Sequence, residues 1–256
     1  MTFRPTRERL APELTEREQM VLLARALWHE GYDDHLAGHI TVNQGDGTLL
    51  CNPWLLTWEE FGPDDVIRID LEGNVVEGDW PAPPGIPLHL ALHEARPDTT
   101  WAMHNHPLYG TVLADMGVVP PPMDQSSALG GGQLVLVDEY EGGVNSMDAA
   151  RRAVAKMGDA DLALLAGHGV FVLGSTARAI HQRAVALEQR CQRAWHVLAA
   201  GGALDSPVAS WWMDRIARSD GNGFHGFWEA MARQELNADP HLLDQDPGIF
   251  DQTGPT

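Results

Sequence analysis

The sequence predicts an α/β domain with a central, mainly antiparallel sheet and flanking helices. Two observations carry this reading. Strand-like and helical segments mix along the chain, and closely spaced turn signals in the first half join strand-like runs into hairpins.

Each element follows from local pattern. Residues 13–31 read as a helix: Thr15 or Glu13 can begin it, Leu22, Leu23, Ala26 and Leu27 recur at helical spacing, and Gly31 stops it. His39–Val42 is strand-like, Gly45-Asp46-Gly47 is a turn, and Thr48–Cys51 returns as the second arm of a hairpin. Val66–Asp70 is a third strand, turned by Glu72-Gly73-Asn74 into Val75-Val76. The Pro-rich Trp80–Gly85 stretch is an extended loop, and a helix from Leu88 to Ala95 ends at Arg96-Pro97. A strand ending in His104-Asn105-His106, a short helix near 111–116, a turn at Gly130-Gly131-Gly132 and a strand over 134–137 follow. Helix 147–157, strands over 161–166 and 170–174, and a long helix over 176–200 complete the pattern. The expected organisation is a domain over 1–205 and a Trp-rich helical extension and tail over 206–256.

The chain has 256 residues, 44% hydrophobic, with a formal net charge of −19. This balance argues against a nucleic-acid binder, which would carry a basic stripe, and against a polybasic membrane contact. No apolar run approaches the ~20 residues of a membrane helix. The two cysteines, Cys51 and Cys191, form no C-x-x-C pair. They suit a reducing cytosol rather than a disulfide framework or thiolate zinc site. Without a signal-peptide-like start, the expected location is cytoplasmic.

His104-Asn105-His106 is the most informative stretch. Side chains two apart on a strand project to the same face, so an H-x-H at a strand end aims two imidazoles at one point. Asp161–Ala166 followed by Gly167-His168-Gly169 repeats the design, with glycines that permit a tight turn and leave room beside the ring. A lone histidine is most often a packing or surface residue. Two motifs that each close a strand pattern at a loop favour a three-histidine metal site with open positions.

The order of elements, these two motifs, Ala37–Val42, Asp64–Asp70 and Leu88–Asp98 together resemble the class II aldolase/adducin family over about residues 15–200. The resemblance implies a three-layer α/β/α fold with a mixed, mainly antiparallel sheet and often a homotetramer. It also implies one divalent transition metal, zinc first and iron or manganese next, on His104, His106 and His168. The chain departs from the aldolase pattern. Where the resemblance places a Ser-Ser-Glu stretch with the acid–base glutamate, it has Pro83-Pro84-Gly85. Where a Gly-Asn pair and a Thr-Gly pair hold phosphate, it has Gly38-His39 and Trp54-Leu55.

The expected function is therefore a metal-dependent carbon–carbon lyase acting on a small anionic substrate, foremost a decarboxylase of an aromatic hydroxy acid. The alternatives are a non-heme Fe(II) oxygenase of similar substrates, an aldolase of a non-phosphorylated substrate, and a binding domain. Tyr140, at the place of a family proton donor, and His89 are the candidate acid–base groups. His89 is preferred over its i+4 neighbour His93, which is expected to pack or to face solvent. His39, Trp54, Gln125 and Ser127 are candidate substrate contacts. Trp54 and Trp58 are read as an aromatic wall, Trp211, Trp212 and Trp228 as a cover or subunit contact, and His181, His196 and Glu188 as packing or surface residues.

Overall fold

The computed structural model describes residues 3–138, 146–205, 211, 214–215 and 226–244. The first-half elements are α1 (Glu16–His29), β1 (His39–Asn43), β2 (Thr48–Cys51), β3 (Ile67–Asp70), β4 (Val75–Glu77) and α2 (Ile86–Ala95). They are followed by β5 (Trp101–Asn105), α3 (Leu108–Asp115), β6 (Leu134–Val137), α4 (Met147–Met157), β7 (Leu162–Leu165), β8 (Gly169–Gly174) and α5 (Ala177–Ala199). A final described helix, Phe227–Ala238, is called α6.

The strands form one eight-stranded sheet in the order β4-β3-β2-β1-β5-β8-β7-β6. Every neighbouring pair is antiparallel except β6 and β7. Strand alternation sorts the side chains into two cores. Ile40, Val42, Trp101, Met103, Leu164 and Val172 join α1, α3, α5 and α6 on one face. Ala102, Ala163, Phe171 and Leu173 join α2 and α4 on the other. The result is a three-layer α/β/α sandwich with a mixed, mainly antiparallel sheet.

Sequence signals place the ends well. Thr15 caps α1 in a reciprocal capping box with Glu18, and Thr176 caps α5. Pro87 lies in the first turn of α2, where its missing N–H costs nothing. That helix and α3 start two to three residues earlier than their apolar patterns indicate. The C-terminal extension is anchored where it is described: α6 inserts Trp228 and Ala232 into the core of α1 and α5, and Glu235 pairs with Arg25 and His29 of α1.

The polar loop side chains that shape one end of the sheet are buried. Asn52 accepts from the Ile40 N–H at 2.7 Å and donates to the Gly38 carbonyl at 3.1 Å. Trp58 packs so closely on Gly38 that a Cβ there would lie 2.3 Å from its ring. Its indole N–H donates to the Gly38 carbonyl at 3.2 Å. These contacts fix the backbone from which His39 projects. Trp58→Ala is expected to destabilise the fold by about 3–5 kcal/mol, as large-to-small changes at a sealed aromatic site do. A chemical-denaturation midpoint checks it.

Candidate metal centre

β5, β8 and β1 meet at one end of the sheet, and the three motif histidines meet there too. His104 sits in β5 and pairs across β1 with His39 and across β8 with Phe171. His106 follows two residues on, and His168 occupies the tight turn between β7 and β8, where its N–H bonds the Leu165 carbonyl at 3.0 Å. The three ring centroids lie 4.6–4.9 Å apart. One ligand nitrogen from each falls within 4.8 Å of the others.

The flanking glycines are steric requirements. A Cβ at Gly169 would lie 2.5 Å from both the Asn105 carbonyl and the His106 ring. Gly167 holds φ +68°, a left-handed conformation that few residues other than glycine adopt readily. Asn105, between the two histidines, faces away from them. It accepts from the His106 N–H at 2.6 Å and donates to the Tyr32 carbonyl at 3.1 Å.

Hydrogen bonds on the far side of two rings set their tautomers. His104 Nδ1–H donates to the Val170 carbonyl at 2.8 Å. His106 Nδ1–H donates to the Asp34 carboxylate at 2.8 Å. A carbonyl and a carboxylate can only accept, so in the neutral, ligating form each ring keeps a lone pair on Nε2. Those two Nε2 atoms face each other at 3.1 Å. Two lone pairs at that distance repel, and either a proton on one nitrogen or a cation bound by both relieves the repulsion. The gap is close to the roughly 3.3 Å that separates two nitrogens bound to one tetrahedral ion at 2.0–2.1 Å. The residues present thus fit a dication. Asp34 supplies the carboxylate behind a ligating histidine that orients such ligands.

The electrostatics agree. Burial, with neighbouring histidines adding to it, holds His104 well below its ordinary value. Burial and then His106 bring His168 to about 4. Burial, His106 and His168 bring His39 to about 3. All are neutral near pH 7, the ligating form. Burial pushes the Asp34 carboxyl upward, but hydrogen bonds from His35 and His106 outweigh it and keep the group ionised. His104 is buried, whereas His106 and His168 are partly exposed, so the cluster opens to one side. A cavity of about 850 Å³ is lined by His106 together with Asp34, Glu30 and Glu188. Three of its carboxylates are committed: Asp34 to His106, Glu30 to His181, and Glu188 to the N–H groups of Tyr109 and Gly110.

The other expected site residues fall into three groups. His39 and His89 lie beside the centre, their rings 5.9 Å apart and that of His39 5.4 Å from His104. His39 fills the space above Gly85: a Cβ on residue 85 would lie 2.2 Å from its ring. Trp54 is half-buried on the loop leaving β2, at the same end of the sheet. Its neighbour Leu55 holds φ +78°, a glycine-like conformation at the place where the resemblance puts a glycine.

Gln125 and Ser127 are not brought to the centre. Gln125 is exposed. The Ser127 hydroxyl is used up within its own turn, accepting from Met123 and Asp124 N–H and donating to the Asp124 carbonyl. Ser127 also lies beside Leu162, at the end of β7 remote from His168. Trp58 is a core residue behind Gly38, not a wall, and Trp228 packs on His181. His93 does not face solvent; like His89 it is buried against the sheet. Tyr140 and Trp212 lie outside the described residues. Asp34 gave no signal in the sequence, because its histidine is 72 residues away.

The chain matches the family described as "Class II Aldolase and Adducin N-terminal domain" over residues 18–195. It is 32% identical over 203 residues to a 3,4-dihydroxyphthalate decarboxylase of Arthrobacter keyseri, covering 73% of this chain and 81% of that protein. It is 30% identical over 186 residues to a 5-methylthioribulose-1-phosphate/5-deoxyribulose-1-phosphate aldolase of Rhodospirillum rubrum, covering 71% and 81%. Among solved structures, an L-fuculose 1-phosphate aldolase from Glaciozyma antarctica PI12 superposes with a TM-score of 0.75 at 21% identity, covering 91% of this chain and 96% of that one. The chain belongs to the class II aldolase/adducin family, whose aldolase and decarboxylase members make it a lyase by class. Among the described residues, no helix is long and apolar enough to cross a membrane.

Two outcomes follow from this geometry. Asp34→Ala should weaken zinc binding about 10–100-fold while leaving the fold intact; a competition titration with a chromogenic chelator measures it. Metal-free protein should lose stability on acidification. The buried histidines resist protons that the unfolded chain accepts below 6.5, so their contribution is full above 6.5 and is lost as pH falls toward 3–4. His29, raised mainly by its hydrogen bond to Glu235, opposes this only in part. A melting temperature that falls between about pH 7 and about pH 5 confirms the sign.

Proposed function

We propose that the protein is a metal-dependent carbon–carbon lyase that decarboxylates a small hydroxylated aromatic acid. The observation that carries this reading is the pair of facing Nε2 lone pairs on His104 and His106, completed by His168, at an open end of the sheet. A divalent transition ion on these three nitrogens would supply Lewis acidity toward a substrate oxygen. Zinc is the first expectation, with iron and manganese next.

The chain's own residues support decarboxylase over aldolase chemistry. Position 85 has no side chain and His39 occupies the space above it, so no carboxylate stands there to move protons. Leu55 and Trp54 stand where the resemblance places phosphate-binding groups. Both changes favour a substrate that needs no phosphate grip. His39 is neutral and has limited access to the site, so it can hydrogen-bond an anionic substrate without repelling it. Trp54 offers a flat apolar contact for a ring, and His89 stands behind His39. Tyr140 is retained as a candidate proton donor. The same reading includes a homotetramer, which sedimentation velocity checks.

Incubation with 3,4-dihydroxyphthalate is the direct test. The reading predicts release of one carbon dioxide per substrate, no oxygen uptake, and loss of activity by chelation. Oxygen consumed in step with turnover would establish the oxygenase alternative instead. His168→Ala should lower turnover by at least about a hundredfold with an unchanged circular dichroism spectrum. Full activity in that variant would remove the metal from the account.

A further inference from the structure

Behind the metal centre, between the sheet and α2, lies a run of buried polar groups. The Thr41 hydroxyl is 2.8 Å from His89 Nδ1 and 2.9 Å from His93 Nε2. Thr41 and His89 are fully buried and His93 nearly so. His89 stands edge-on to His39 and edge-on to Phe171. Two nitrogens of this run, His39 Nδ1 and His89 Nε2, have no hydrogen-bond partner, and His93 Nδ1 has at most a poorly aligned one to the Thr99 backbone. Apolar residues would fill this space at far lower cost, since a sealed, unpaired polar atom is unfavourable. The arrangement is also constrained internally. Both imidazoles are neutral, kept so by burial. A neutral imidazole has one N–H, and a hydroxyl has one proton to give.

If Thr41 donates to His89 Nδ1, it must accept from His93 Nε2–H, and both rings are Nε2–H tautomers. If it donates to His93 Nε2, it must accept from His89 Nδ1–H, and both are Nδ1–H tautomers. A single hydroxyl proton therefore forces the two rings into the same tautomer. It also decides whether His89 presents a donor or an acceptor on its other nitrogen.

We propose that Thr41 and His93 are positioning residues of the active site: they lock the tautomer and ring plane of His89, which in turn fixes the orientation of His39 facing the substrate. The proposal rests on the lyase reading above. It gives the buried Thr41 hydroxyl and His93 a part in the reaction, although neither reaches the metal centre. His39 packs against Gly85, His104 and His89, and of these His89 is the one that contacts the Thr41 hydroxyl.

The test uses zinc-loaded full-length protein and the variants Thr41→Val and Thr41→Ser. Valine keeps the shape and strand propensity of threonine but removes the hydroxyl; serine keeps the hydroxyl. With 3,4-dihydroxyphthalate as the probe, Thr41→Val is expected to lose roughly tenfold or more in kcat with little change in KM or zinc content. Thr41→Ser should stay within about threefold of the parent. Nitrogen-15 spectra of the imidazoles should show His89 and His93 in the same tautomer in the parent and in Thr41→Ser, and no longer coupled in Thr41→Val. Parental kcat in a folded Thr41→Val, or opposite tautomers in the parent, would overturn the proposal. If the parent does not turn over 3,4-dihydroxyphthalate, the substrate reading fails and the spectra still decide the coupling.

Discussion

Two nitrogen lone pairs held 3.1 Å apart organise this end of the molecule. Strand alternation brings the His104 and His106 rings to one side, and the acceptors behind them, Val170 carbonyl and Asp34 carboxylate, take the Nδ1 protons, which in the neutral rings leaves both Nε2 atoms free to bind a cation. Such an arrangement is costly in a protein interior unless a cation completes it. The surrounding features serve that geometry. Gly169 leaves room for the His106 ring, the β7–β8 turn carries in His168, and Asn105 ties the connecting backbone to Tyr32.

The same end of the sheet accounts for what the chain does not share with sugar-phosphate aldolases. A histidine on β1 and a glycine before α2 fit each other so closely that, with His39 in place, position 85 has no room for a side chain. His39, with the small Gly85 above it and His89 beside it, makes a neutral, largely buried wall next to the triad. The departure from the aldolase pattern is thus written into packing as much as into the residue types at positions 83–85. Behind that wall the buried polar groups continue to Thr41 and His93, so the site extends inward into the layer between sheet and helix.

Much of this was legible in the sequence because the signals were local. Hydrophobic alternation, the Gly-Asp-Gly and Glu-Gly-Asn turns, the threonine caps and the strand-ending histidines each act within a few residues, and the elements they predict are present. Resemblance supplied the layering. What escaped were contacts whose partners are far apart in the chain: Asp34 with His106, Gly85 with His39, and Thr41 with His93. Spacing alone also did not show the local packing of Ser127 and Trp58. A polar side chain before a glycine run reads as a pocket residue, yet its hydroxyl closes its own turn. A tryptophan near a binding loop reads as a wall, yet it fills the space that Gly38 leaves.

The central claim is that His104, His106 and His168 bind one ion together. X-ray absorption of the zinc-loaded protein measures this most directly. The account predicts one zinc per chain with three imidazole nitrogens at about 2.0–2.1 Å. A protein that takes up no stoichiometric zinc, or one whose zinc shows fewer than three imidazole ligands, would contradict it.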